Sequence, residues 1–238
     1  YRKETHDFTV TLLQRIKQID RNLLSAQDKI SYDIFIYESE LSLESEQFPD
    51  ELIPINQFNN IASFFAQLGS GQSLQPFKKV KDYDDFLKRM TGMAVVLDQA
   101  IKNMNQGIEK GLVQPKVLME KVLPQLAAHI VKTPEKSIFF QPIEDMPSSF
   151  SAEDKARLTT LYSKAIENDI VPAYKNLHDF IADDYLKHTR ESFGFSEYPN
   201  GVNWYKFAIK TQTTTNMTAE EIHQFGLEEV ARIRGEMQ

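Results

Sequence analysis

The fold follows from three consecutive stretches, Tyr185-Leu-Lys-His-Thr-Arg190, Gly194-Phe-Ser-Glu-Tyr-Pro-Asn-Gly201 and Thr213-Thr-Thr-Asn-Met-Thr-Ala-Glu-Glu-Ile-His-Gln-Phe-Gly226. Their order predicts a helix end, a tight turn, a short aromatic helix, a threonine-rich link and a capped helix. The Asn-Gly pair favours a turn because both residues tolerate positive φ. Thr218 and Glu221 have the spacing of a capping box, in which each side chain satisfies a backbone N–H group of the other. The region therefore predicts helices joined by turns.

Apolar side chains in the first part of the chain recur at the 3.6-residue spacing of amphipathic helices. We expect one helix face over residues 8–23 and a second helix that begins after the cap residue Ser25. Pro49 ends this second helix, a short helix is expected around Asn60 to Leu68, and Asp82 caps a later long helix. Short connections between such helices predict antiparallel neighbours.

The longest helix is expected to start after Ser151, to run to about Arg190 and to bend at Pro172. Residues 211–215 form the single β-like run, which predicts an extended link or one edge strand. The predicted fold class is therefore all-α. We expect an irregular bundle of long antiparallel helices, with one long helix bent at a proline and at most one short edge strand.

Residues 133–150 are rich in proline and serine and form the best candidate for an internal boundary. We therefore predict an N-terminal helical subdomain over residues 1–132, a link over residues 133–150 and a second helical segment over residues 151–238. The chain begins without methionine and stops at Gln238. We expect it to be a processed chain or a part of a larger one, and the second segment to continue into a missing C-terminal half.

The last helix, from Thr218 to Gln238, is expected to expose an apolar face that needs a partner surface. Its apolar side chains are Ile222, Phe225, Val230, Ile233 and Met237. We expect the long helix bent at Pro172 to expose apolar area as well. Uncovered apolar side chains favour association, so the chain should dimerise or show mobile ends along this face.

Composition excludes several classes of function. The 238 residues are 41% hydrophobic, which predicts a globular chain with a real core. The formal net charge of -7, with lysine and arginine scattered among acids, argues against nucleic acid as a partner. The absence of cysteine excludes disulfides and thiolate chemistry. No apolar run approaches the ~20 residues that a transmembrane helix needs, and we expect no signal peptide within these residues.

The histidines do not have the spacing of a zinc peptidase. None of the five is followed by glutamate, so the chain contains no H-E-x-x-H motif. The Glu220-x-x-His223 pair lacks the second copy that a carboxylate-bridged metal site needs. His178 lies beside Asp179, Asp183 and Asp184, a cluster acidic enough to hold a cation. A solvated helix face is the simpler interpretation of these residues. We therefore predict no catalytic residue and no metal ligand in this chain.

Several stretches, in this order along most of the chain, resemble the bacterial domain-of-unknown-function family 885. Besides the stretches quoted first, they are Phe48-Pro followed by Leu52-Ile-Pro-Ile-Asn-Gln57, Leu97-Asp-Gln-Ala-Ile101 and Gly107-Ile-Glu-Lys-Gly-Leu-Val-Gln-Pro115. The family looks related to zinc carboxypeptidases and oligopeptidases of the gluzincin group. Its members usually carry a later H-E-x-x-P-G-H-H motif, which this chain does not reach.

The resemblance implies that this chain is the helical N-terminal lobe of a zinc-dependent peptidase, inert alone, with zinc held only by the missing C-terminal half. The implied partners are a peptide substrate and either that C-terminal half or a second copy of the chain. The alternative is a non-catalytic helical binding or scaffold module of the cell envelope. The resemblance favours a secreted envelope protein, periplasmic or lipid-anchored.

The resemblance also implies that helices on both sides of a cleft cover an extended peptide. The candidate cleft-wall residues are Tyr198, Asn200, Gly201, Trp204 and Tyr205. A helix N-terminus offers free N–H groups to a carboxylate, and the Tyr205 hydroxyl could hydrogen-bond a peptide or a tetrahedral oxyanion. The alternative is that Pro-Asn-Gly is only a turn and that the aromatic residues belong to the core.

Overall fold

The computed structural model describes residues 2–58 and 60–237, and it confirms the all-α fold class. Within these residues no strand is present, and an isolated bridge between Pro115 and Arg190 is the β-type pairing found there. The α-helices are α1 Arg2–Ile16, α2 Ala26–Ser45, α3 Ile61–Gly69, α4 Val80–Glu109, α5 Lys116–Ala127, α6 Gln141–Glu144, α7 Ala152–Ala165, α8 Val171–Asp183, α9 Gly201–Thr213 and α10 Ala219–Glu236. Tyr1, Asn59 and Gln238 lie outside the described residues, and with them the outer limits of the predicted division and the predicted end of the last helix.

The chain forms two compact units. We call residues 50–199 the core unit, and residues 2–49 together with 200–237 the hairpin unit. The division into residues 1–132, 133–150 and 151–238 stays a prediction about domains. Residues 133–150 themselves lie within the core unit as short helical turns, and Phe139, Phe140 and Ile143 from this segment are buried there.

Helix α4 is the centre of the core unit. Its buried side chains recur every three or four residues, so that one face of the helix lies in the apolar core. The buried tyrosines of this core use their hydroxyl groups as donors. Tyr162 donates to the Tyr83 carbonyl at 3.0 Å, and Tyr174 donates to the Ala62 carbonyl at 2.6 Å. Burial raises the pKa of both hydroxyls, which keeps them protonated and able to donate.

The predicted long helix is interrupted directly before Pro172. A π turn over Ile166–Ile170 joins α7 to α8, and the Val171 N–H donates to the Ile166 carbonyl. The interruption has a physical cause, since proline has no N–H and its ring clashes with the preceding helical turn. Helix α8 ends at Asp183, short of the predicted end near Arg190, and a 3₁₀ turn over Tyr185–Lys187 follows.

The hairpin unit pairs α1 with α2 in antiparallel orientation, as predicted for neighbours with a short connection. Three side-chain pairs show the direction, since His6 meets Glu46, Lys17 meets Glu40 and Arg21 meets Asp33. The predicted apolar face over residues 8–23 is wrong in part. Helix α1 ends at Ile16, a 3₁₀ turn follows at Arg21–Leu23, and Phe8 and Leu23 are exposed.

Helix α10 has no buried residue, which confirms the predicted exposure of its apolar side chains. Phe225, Val230, Ile233 and Met237 are all exposed. The matching expectation for the long helix bent at Pro172 is wrong, because its apolar positions are buried in the core unit. These positions include Leu158, Tyr162, Ile166, Ile170, Tyr174, Leu177 and Ile181.

Candidate functional site

Four of the stretches that resemble the family, which contain Ile53, Gln114, Tyr185 and Tyr198, meet at one largely buried group of polar side chains in the core unit. The Gln114 side-chain amide donates to the Ile53 carbonyl at 3.3 Å and to the Ile55 carbonyl at 3.2 Å. Its oxygen accepts from the Tyr198 hydroxyl at 3.2 Å, while its backbone N–H donates to the Tyr185 hydroxyl at 3.0 Å. One glutamine thus ties together segments that are far apart in the sequence.

Arg190 completes this group. Its guanidinium lies 4.3 Å from the centre of the Tyr198 ring and donates to the Gly194 carbonyl at 2.7 Å. Its backbone carbonyl accepts from the Lys116 N–H at 2.9 Å. We call Gln114, Tyr185, Arg190 and Tyr198 the polar hub.

Gly107 belongs to the same arrangement. A side chain at this position would meet the Leu112 carbonyl at 2.6 Å and the Leu52 carbonyl at 2.8 Å. A methyl group cannot fit at these distances, so the close approach of three segments requires glycine. The four stretches that meet here are thus explained by packing and hydrogen bonding inside the core unit.

The predicted cleft-wall residues fall into different surroundings. Tyr198 is buried in the core unit, where burial also raises the pKa of its hub partner Tyr185 to about 12. Trp204 is buried in the hairpin unit and stacks on Phe48 with ring centres 5.6 Å apart. Tyr205 is 45% exposed. The role of these residues in a substrate cleft stays a prediction.

The turn before α9 has the geometry expected of Asn-Gly. Asn200 is in the left-handed region with a φ of 59°, and its side-chain oxygen accepts from the Asn203 amide at 2.7 Å. Gly201 begins the helix and is buried, whereas Asn200 is exposed. Asn200 therefore stands directly before α9, and its side chain holds the Asn203 amide at the start of the helix.

A groove of about 470 Å³ lies within the hairpin unit, between the end of α2, α9 and the link to α10. We call it the α2–α9 groove. Its aromatic floor is formed by Phe48 and Phe207, whose ring centres are 5.1 Å apart. The other lining residues are Glu44, Gln47, Asn203, Lys206, Lys210, Thr215, Asn216, Met217 and Thr218.

The two lysines of the groove have different surroundings. Lys210 donates to a Glu44 carboxylate oxygen at 2.5 Å, and this hydrogen bond raises the pKa of Lys210. Lys206 is exposed and has no ion pair within the described part of the chain. The pairing neutralises one ammonium group and leaves the charge of the other available.

The groove was missed from the sequence, although a signal for it is present. Asn203, Lys206, Phe207 and Lys210 are spaced i, i+3, i+4 and i+7, which places them on one face of a helix. The Pro-Asn-Gly turn instead indicated Trp204 and Tyr205 as cleft-wall residues. Neither of them lines the groove.

The histidines show no arrangement for zinc. In residues 2–58 and 60–237, no group of three or more histidine, aspartate or glutamate side chains is placed to hold a metal ion. His178 meets Asp179 at 3.1 Å, and Lys175 pairs with the same carboxylate. His129 packs against the Tyr174 ring with centres 4.9 Å apart, and burial lowers its pKa. The described residues therefore do not fit a zinc site.

The chain belongs to a bacterial family. The family described as "Bacterial protein of unknown function (DUF885)" matches residues 1–238. A solved structure of the same fold is described as "The crystal structure of the putative lipoprotein from Colwellia psychrerythraea", with a TM-score of 0.85 and 20% sequence identity. The match covers 99% of this chain and 42% of that one, so this chain spans less than half the length of its neighbour.

At this identity the likeness shows the fold alone. No curated protein matches this chain. Throughout the described ranges, the helices lack the combination of length and apolar character that crossing a bilayer requires.

Proposed function

We propose that this chain is a helical, non-catalytic lobe of a bacterial envelope protein that hydrolyses peptides with zinc. In this proposal the lobe binds substrate and contributes neither a metal ligand nor a catalytic group. The observation that carries the proposal is the α2–α9 groove, whose volume of about 470 Å³ lies in the usual range for ligand sites. An aromatic floor with a polar rim suits an extended peptide, which has apolar side chains and a polar backbone.

The catalytic role is proposed for polypeptide outside this chain. Support comes from the residue stretches that resemble a family related to gluzincin peptidases, and from the greater length of the structural neighbour. The zinc-binding motif of such enzymes has no counterpart among the five histidines here. An envelope location is supported by the description of the neighbour as a lipoprotein.

Exposure of α10 supports the same arrangement. Its apolar stripe includes Phe225, Ile233 and Met237, and each buried large apolar side chain stabilises a complex by roughly 1.5–3 kcal/mol. We propose that further polypeptide of the parent protein covers this stripe. A second copy of the chain would cover it when the parent polypeptide is absent.

The test uses a longer protein of this family that contains this lobe, a library of short peptides and elemental analysis. We expect bound zinc, peptide cleavage that a chelator abolishes and that added zinc restores, and no cleavage by the 238-residue chain alone. A zinc-free longer protein that binds the peptides without cleaving them would refute the peptidase proposal. That result would favour the non-catalytic binding or scaffold module.

A further inference from the structure

The α2–α9 groove has the chemistry of a site for one particular class of ligand. We propose that it binds a carboxylate group carried on an apolar peptide segment, with Lys206 as the residue that recognises the carboxylate. This inference deepens the proposed function and rests on it only for the choice of a peptide as the ligand. It names the substrate group that the lobe selects.

The floor of the groove favours an apolar segment. Phe48 is held in place from behind by Trp204, which stacks on it at 5.6 Å, and from the side by Phe207 at 5.1 Å. Phe48 is 4% exposed, so it supports the floor from below, and the half-buried Phe207 ring supplies most of the aromatic surface that a ligand can contact. A rigid aromatic surface can contact an apolar side chain without the entropic cost of ordering flexible groups. Met217 extends this surface with an adaptable thioether.

The charges of the groove favour an anion. Glu44 is the acidic residue among the lining side chains, and its carboxylate is already bound to Lys210. This pair leaves the Lys206 ammonium as the uncompensated charge of the groove. With one carboxylate and two ammonium groups among its lining side chains, the groove has a net positive charge, which favours a carboxylate ligand.

The polar rim can bind the backbone of the same segment. Most rim side chains already have partners, since Gln47 donates to the Glu44 carbonyl and the Thr218 hydroxyl belongs to the capping box of α10. The Asn216 side chain has no hydrogen-bond partner within the described part of the chain. Its amide offers both donors and an acceptor to a peptide group. Within the described part of the chain, Lys206 and Asn216 are therefore the two rim residues whose side chains make no hydrogen bond.

The carboxylate can come from two sources, a peptide C-terminus or an acidic side chain. Three acetylated pentapeptides of alanine and phenylalanine separate them. The first has a free C-terminus, the second is its amide, and the third is the amide with one glutamate. Trp204 is the single tryptophan of the chain and lies behind the groove floor, so its fluorescence reports binding.

We expect the 238-residue chain to bind at least one of the two carboxylate peptides about tenfold or more tightly than the neutral amide, as expected for a charge-assisted hydrogen bond. Added salt should weaken this preference. Lys206→Gln should abolish it, and Lys206→Arg should keep it. Lys102→Gln, which removes an exposed lysine of α4 in the core unit, should leave it unchanged.

Three results would overturn the inference. They are equal affinity of the chain for all three peptides, an unchanged carboxylate preference in Lys206→Gln, and no binding of any peptide at millimolar concentration. Circular dichroism of each variant verifies that the helices are intact. The result is separable from the proposed function. Peptide cleavage by the longer protein with unchanged carboxylate preference in Lys206→Gln would sink this inference alone. Selective binding by the 238-residue chain without any cleavage by the longer protein would sink the peptidase proposal alone.

Discussion

The core unit and the hairpin unit differ in how far their apolar side chains are buried. The core unit surrounds α4 with one continuous cluster of buried side chains, and its tyrosine hydroxyls find carbonyl partners inside it. The hairpin unit leaves many large apolar side chains exposed, including Phe8, Leu23, Ile30, Ile34, Phe225, Val230, Ile233 and Met237. The comparison indicates that the core unit contains the continuous apolar core, whereas the apolar face of α10 in the hairpin unit is uncovered in this chain.

The largest effect is expected from Phe86→Ala. Phe86 is fully buried and stacks on Phe65 with ring centres 5.2 Å apart. Truncation of such a ring costs about 3–5 kcal/mol of unfolding free energy, measured by urea denaturation. The matched change Phe225→Ala removes the same ring from α10, where it is 57% exposed, and should cost less than about 0.5 kcal/mol. Similar costs for the two variants would contradict the contrast between the units.

The polar hub should give the next largest effect. Gln114→Ala removes the side-chain donor to the Ile53 and Ile55 carbonyls and the acceptor of the Tyr198 hydroxyl, which should cost about 2–3 kcal/mol of unfolding free energy. Tyr198→Phe removes one hydrogen bond of the hub and should cost about 1 kcal/mol. Chemical denaturation of both variants measures these values. A Gln114→Ala variant as stable as the parent chain would mean that Gln114 does not hold the segments of Ile53 and Tyr198 together.

Removal of a helix N-cap should cost about 1 kcal/mol of stability, and one cap in each unit tests the contrast between them. Thr218→Ala removes the cap of α10, and Ser151→Ala removes the cap of α7. Because α10 has no buried residue, we expect its cap loss to appear as faster amide exchange confined to α10. The α7 cap loss should instead lower the global unfolding free energy, since α7 cannot open without breaking the core. The same exchange pattern in both variants would contradict this account.

The smallest predicted effect concerns pH. Burial lowers the pKa of His129 below its usual value near 6.5, so the unfolded chain binds this proton more readily than the folded chain. The contribution of neutral His129 is therefore complete above about pH 6.5 and declines as the pH falls through 6.5 toward the folded pKa. His129→Phe should remove this part of the pH dependence while keeping ring contact with Tyr174. Identical pH profiles of the two proteins between pH 7 and 5 would exclude the proposed burial effect.

The sequence predicted the helices better than it predicted their surroundings. The 3.6-residue pattern, the Ser25 and Thr218 caps and the breaker Pro172 depend on local interactions, and the structure agrees with them. Burial depends on contacts between distant segments, so the expected exposure of the long bent helix was wrong. Tyr198 likewise could not be assigned to the hub without knowing that Gln114 lies beside it.

The α2–α9 groove shows the same limit at the candidate site. The spacing from Asn203 to Lys210 gives one polar and aromatic helix face, but a face becomes a groove only when α2 places Phe48 and Glu44 opposite it. The pairing of Lys210 with Glu44 is what distinguishes Lys206 from the other lysine of the groove. No local pattern specifies that pairing, because the two residues are far apart in sequence.

Residue-resolved hydrogen–deuterium exchange of the 238-residue chain tests the central contrast most directly. We expect slow exchange through the buried face of α4 and through α8, where opening requires disruption of the core. Exchange should be faster by orders of magnitude in α10, whose amides are protected only by their own helix. Slow and uniform exchange across α4, α8 and α10 in a chain that sediments as a monomer would contradict the claim that α10 is uncovered in this chain.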